Sequence, residues 1–90
     1  MSHVTHARKK LLARTRRIQG QLAAVEKMLS TDGDCTAVLT QIAAVRGAVQ
    51  ALLLEVLSDH LHEHVASEAD ALVREKEASD VMSLLRRHIK

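Results

Sequence analysis

Apolar residues fall into two long stretches at helical spacing with a single break between them, and that rhythm leaves little choice of fold. From about Thr5 to Leu29 they recur at heptad intervals, as Leu11, Ile18, Leu22, Val25 and Leu29, with Thr15 in the remaining slot. Residues three and four apart share one side of a helix, so this stretch predicts a long helix that packs against others. Ser30-Thr31-Asp32-Gly33-Asp34 stops it, and Asp34 is placed to cap the next helix. A second helix is expected from about Cys35 to Val65, on a stripe of Val38, Ile42, Val45, Val49, Leu52 and Val56. Leu39, Leu53 and Leu57 widen that stripe enough to pack on two sides. Gly47 costs roughly 1 kcal/mol relative to Ala in a helix interior. With no turn residue beside it, Gly47 reads as a point of close packing rather than a hairpin. The pattern lapses near Ala66 to Asp70, where Ser67 and Asp70 resemble a capping box. A shorter third helix comes next, with Ala78, Val81, Met82, Leu85 and Ile89 inward.

Composition supports the same fold class, all-α with three helices. The 90 residues include no proline, three glycines and no aromatic side chain, so the core is aliphatic. They make one domain, 1–90, small enough that a partner subunit is expected to cover part of its surface. Without aromatics there is no platform for stacking unpaired bases, which argues against single-stranded nucleic acid as a partner. The single cysteine, Cys35, cannot close an internal disulfide and suits a reducing cytoplasm. The sequence shows no apolar signal core and no uninterrupted apolar run of about eighteen residues, so neither an export signal nor a membrane span is expected.

Charge is unevenly spread behind a net +2. Residues 1–30 carry seven Lys/Arg against Glu26, and residues 31–90 carry six against ten Asp/Glu. A basic front end on a weakly acidic body fits a polyanionic partner, although a solvated helix face would carry the same pattern. On a helical wheel Lys10, Arg14, Arg17 and Gln21 line one edge of helix 1, beside the apolar stripe. Such an edge stays exposed after packing and can track the phosphates of double-stranded DNA. There is no helix-turn-helix, zinc-finger or wing signature, so affinity would rest on phosphates and DNA shape.

His60 and His64 lie four apart on one helix face, a spacing at which two imidazoles can chelate one metal ion. They continue the side defined by Val49, Leu53 and Val56, whereas His62 points away. Alone, such a pair is more often filler than a ligand set. Cys35 adds a donor in the first turn of helix 2, where the helix dipole favours thiolate; alone, it would read as a small buried hydrophobe. If helix 2 is continuous, Cys35 and His60 stand roughly 37 Å apart along the axis, too far to share a metal within one chain. Two antiparallel copies of helix 2 would bring Cys35 of one to His60 and His64 of the other. His3, next to the terminal amine, is the better placed of the N-terminal histidines (His6 is the other), although a frayed tail is the plainer reading. Asp34 and Glu63 adjoin the ligands and could add oxygen donors or orient imidazoles. One thiolate with several imidazoles suits nickel, cobalt or zinc better than cuprous ion.

Together these residues resemble the CsoR/RcnR/FrmR family of small helical repressors. The strongest stretches are Arg16-Arg17-Ile18-Gln19-Gly20-Gln21, Gln41-Ile42-Ala43-Ala44-Val45-Arg46-Gly47-Ala48, and Glu55-Val56-Leu57 followed by His60-Leu61-His62-Glu63-His64. The resemblance implies an antiparallel helical-bundle dimer assembling to a dimer of dimers, which represses efflux or detoxification genes and leaves DNA when an inducer binds. It also implies His3, Cys35, His60 and His64 as metal ligands, the pattern of the nickel/cobalt-responsive RcnR type, and Arg14 and Arg17 as DNA contacts. Copper and persulfide sensors of the family need a second cysteine that this chain lacks. The formaldehyde-responsive branch keeps a cysteine at position 35 and relies on an N-terminal proline, where this chain has Ser2. The expected function is thus a nickel- or cobalt-responsive cytoplasmic repressor. The alternatives are a formaldehyde sensor using Cys35 and the N-terminal amine, and a metal-buffering helical protein without a DNA role. No acid/base or nucleophile constellation suggests an enzyme.

Overall fold

The computed structural model describes residues 2–89, with side chains from residue 7 onward. Three α-helices account for most of them: α1 over Ser2–Ser30, α2 over Cys35–Leu61 and α3 over Ala71–His88. A π-helical turn, His62–Ala66, continues directly from α2. The described residues contain no strand. The expected second helix thus covers the predicted span, but its last turn is wound more loosely than an α-helix. Gly47 lies inside unbroken α2 with nothing within 4 Å of where a Cβ would stand, so it is neither a hairpin nor a close-packing point within the protomer.

The helix ends obey local chemistry. Asp32 takes a left-handed conformation (φ 56°) at the end of α1, and the Gly33 amide donates back to the Met28 carbonyl at 2.8 Å. This satisfies a carbonyl that the helix end would otherwise leave bare. Asp34 then caps α2, its Oδ2 accepting from the Ala37 amide at 3.1 Å. Asp70 alone caps α3, accepting from the Leu72 and Val73 amides. The expected Ser67–Asp70 box does not form; Glu68 instead reaches forward to accept from the Asp70 amide.

By contacts the chain divides into two compact units, Met1–Val56 and Leu57–Lys90. In the first, α1 packs on α2 through Ile18, Val25 and Val45, with Ala48 and Leu52 against them. The inward stripe of α1 is rotated from the expected one. Gln21 and Met28 are partly buried, whereas Leu22 and Leu29 are 51% and 64% exposed. Polar residues meet inside this seam: the Gln41 side-chain amide donates to the Gln21 carbonyl at 3.5 Å, and Arg14 meets Glu55. In the second unit α3 lies against the π-helical turn, with Val81 buried and Ala78 and Leu85 partly so. Met82 and Ile89, expected inside, are exposed.

The outstanding feature is how much apolar surface remains. Among the described residues, fifteen large hydrophobics are more than a third exposed, and no side chain is completely buried. A compact monomer of 9.9 kDa exposes about 5,200 Å² by the size scaling of folded chains; this one exposes 7121 Å². By length and composition alone, the helical stretch Cys35–Ala66 is also apolar enough to cross a membrane.

Candidate metal site and nucleic-acid edge

The exposed apolar residues of α2 are ordered. Leu39, Ile42, Val49, Leu53 and Val56 lie in one row of three- and four-residue steps, with Arg46 in the slot between Ile42 and Val49 and Cys35 and His60 at the two ends; Leu54 and Leu61 are exposed off it. This row is distinct from the one facing α1, which holds Val38, Val45, Ala48 and Leu52. Cys35 is exposed in the first turn of α2. His60 is in the last turn, and one uninterrupted helix separates them.

His60 and His64 come together. Their ring centroids are 4.6 Å apart and tilted by 40°. His64 belongs to the π-helical turn, which closes with the Ser67 amide donating to the His62 carbonyl at 2.9 Å. An i→i+5 turn inserts a residue into the helical phase, a local departure that often accompanies functional sites. His60 Nε2 stands 3.3 Å from Glu77 Oε2 on α3, an ion-pair contact when the imidazole is protonated. Sequence reasoning missed Glu77. Its one signal is an acid beside Ala78 and one turn before Val81, on the side of α3 that packs inward.

The remaining expected ligands are less engaged. Asp34 has a carboxylate oxygen committed to its capping bond. Glu63 is partly buried in the π-helical turn. The His3 side chain, like that of His6, lies outside the described residues. Among the described residues, no three His, Cys, Asp or Glu side chains stand together as a metal-holding group. One protomer presents a histidine pair at one end of α2 and a thiol at the other. Imidazole and thiolate donors fit a borderline divalent ion.

On α1, Lys10 and Arg14 share one partner. Arg14 Nη2 is 3.1 Å and Lys10 Nζ 3.9 Å from the same oxygen, Oε1 of Glu55. Arg17 is exposed on the same edge. Gln21 turns out to face α2, with its Oε1 buried and without a hydrogen-bond partner. The edge is therefore carried by Lys10, Arg14 and Arg17. Sequence reasoning also missed Glu55, although an acid at the packing register of Ala48 and Leu52 was a visible irregularity.

Residues 7–87 match the family of metal-sensitive transcriptional repressors, and the chain belongs to that family. It is 47% identical over 90 residues to the transcriptional repressor RcnR of Escherichia coli, each chain covered in full. It is 50% identical over 91 residues to a Serratia marcescens protein known by its place in the bioA 5′ region, again with both chains fully covered. Among solved structures it resembles a glutamate-to-histidine variant of the Formaldehyde-Responsive Regulator FrmR of Salmonella enterica serovar Typhimurium. There the TM-score is 0.85 and the identity 39%, over 93% of this chain and 96% of that one. The family consists of transcriptional repressors rather than enzymes.

Proposed function

We propose that the chain is a cytoplasmic nickel- or cobalt-responsive repressor, in which all 90 residues act as one metal-sensing and DNA-binding domain. In this reading the metal-free form holds operator DNA along Lys10, Arg14 and Arg17 of α1. Metal is then bound by Cys35 of one protomer with His60 and His64 of its partner, and His3 adds a further donor. The observation that carries it is the exposed row on α2. A two-fold axis between residues 47 and 48 sets two such rows antiparallel, pairing Cys35 with His60, Leu39 with Val56, Ile42 with Leu53 and Arg46 with Val49. The thiol then meets the imidazoles at both ends, and the apolar residues between them are covered by protein rather than lipid. The surplus surface, about 1,900 Å² over a compact monomer, is enough for a standard interface of roughly 800 Å² per partner, with surface left to join two dimers.

The 47% identity to RcnR and the absence of a second cysteine favour nickel or cobalt, with zinc as the next candidate. When bound, the ion supplies a cross-link between protomers. Glu77, 3.3 Å from Nε2, would orient the His60 ring through that nitrogen and leave Nδ1 to the metal. Metal then favours a state with weaker DNA affinity, and linkage requires DNA to weaken metal binding by the same factor.

The likeness to FrmR supports a second reading, in which formaldehyde is the inducer. The Cys35 thiol and the N-terminal amine would add to the aldehyde carbon with loss of water, leaving a methylene bridge between sulfur and nitrogen. One titration separates the two. Nickel, cobalt, zinc and formaldehyde are each added to a repressor–operator complex, and DNA release is monitored by fluorescence anisotropy. Release by nickel or cobalt near stoichiometry is the expected result. Release by formaldehyde alone, with a one-carbon adduct in the mass spectrum, would establish the second reading.

A further inference from the structure

We infer that Glu55 is a built-in counter-anion of the DNA-binding edge, occupying Arg14 and Lys10 off DNA and displaced from them by operator phosphates. The inference rests on the proposed reading of α1 as the DNA-contacting helix.

Glu55 is the one acid between Cys35 and Ser58. It sits in the α2 register that faces α1, seven residues after Ala48 and three after Leu52, where an apolar residue would extend the seam. Its backbone is fixed by the packing of Val45, Ala48 and Leu52, so its carboxylate is held against α1 rather than swinging free. One oxygen serves two cations a single helical turn apart, at 3.1 and 3.9 Å. Those two cations form the N-terminal half of the edge that also carries Arg17.

Carboxylate and phosphate oxygens compete for the same donors on a guanidinium. The side chains retain enough exposure, 34% for Glu55 and 40% for Arg14, for a phosphate to approach. An ion pair this wet is weak and opens readily against a row of phosphates. Off DNA it removes one positive charge from the edge of every protomer, which lowers the affinity for any duplex. On DNA the freed carboxylate is left beside phosphates, so the penalty persists in the complex. Glu55 thus sets a ceiling on how tightly the repressor holds DNA, at a residue five positions before His60 on the same helix.

The test uses the full chain carrying E55Q, which keeps the side-chain shape and removes the charge. Binding to an operator duplex and to an unrelated duplex is measured over a range of salt. We expect E55Q to bind both about two- to fivefold more tightly per contacting edge. Its log–log salt slope should be steeper by up to about 0.9 per edge. In a K10Q/R14Q background, which should itself lose DNA affinity, adding E55Q should gain less than it does in the wild-type chain. Unchanged or weaker binding by a correctly assembled E55Q protein overturns the inference alone. Undiminished binding by K10Q/R14Q overturns the reading of α1 as well. The wild-type chain gives an independent readout, because the Glu55 side-chain carboxyl carbon resonance should move on saturation with DNA; a resonance that stays in place overturns the inference.

Discussion

At the scale of single residues, sensing turns on how side chains are oriented rather than on which are present. Cys35, His60 and His64 are conspicuous in the sequence, but Glu77 is visible only once α3 is placed against the end of α2. Its carboxylate lies beside Nε2 of His60, which in the proposed reading leaves Nδ1 to face the metal. Replacing such a partner typically costs 10- to 100-fold in metal affinity. E77Q is therefore expected to weaken nickel or cobalt binding within that range, measured by competition with a chelator of known affinity. DNA binding by the metal-free form should be unchanged. An E77Q protein with wild-type metal affinity would show that the contact plays no part in sensing.

At the scale of elements, the three helices were legible because apolar spacing and capping residues report them directly. What the sequence could not report was phase. Leu22 and Leu29 continue the heptad of α1 on paper, yet Gln21 and Met28 take the inward positions. The packing rotates so that Arg14 meets Glu55 and Gln21 meets Gln41, which leaves the leucines outside. The π-helical turn at His62–Ala66 has no residue signature, because an i→i+5 bond is a property of the backbone. The closeness of His60 and His64 was legible from their four-residue spacing, and Asp34 as the cap of α2 from its place just before Cys35.

Two glycines test the element boundaries in opposite directions. A Cβ at Gly47 meets nothing within 4 Å, so G47A should stabilise by up to about 1 kcal/mol through helix propensity. A Cβ at Gly33 would stand 2.9 Å from the Met28 carbonyl oxygen, so G33A should destabilise the α1–α2 turn. Urea midpoints read both. A destabilised G47A would mean that a partner protomer packs closely on that face of α2.

At the scale of the whole molecule, the proposed reading makes a protomer incomplete as a sensor and as a folded body for the same reason. The row of α2 that carries Leu39, Ile42, Val49, Leu53 and Val56 lacks a cover, and its two ends carry a thiol and a histidine pair. Covering the row and completing the set are one event if two copies pair antiparallel, which ties metal affinity to assembly. A sensor built this way gains by symmetry two equivalent sites, each spanning two chains.

Subunit mixing tests this most directly. A C35A protein and an H60A/H64A protein are each expected to lose tight cobalt binding and the thiolate-to-cobalt absorption band. Unfolded together and refolded as a mixture, they form mixed dimers in which the cysteine of one chain meets the histidines of the other. Random pairing should restore roughly a quarter of the wild-type sites, one complete site in each mixed dimer. Recovery of that band in the mixture is the predicted result; a mixture as silent as its two components, despite demonstrated subunit exchange, would contradict a site shared between protomers.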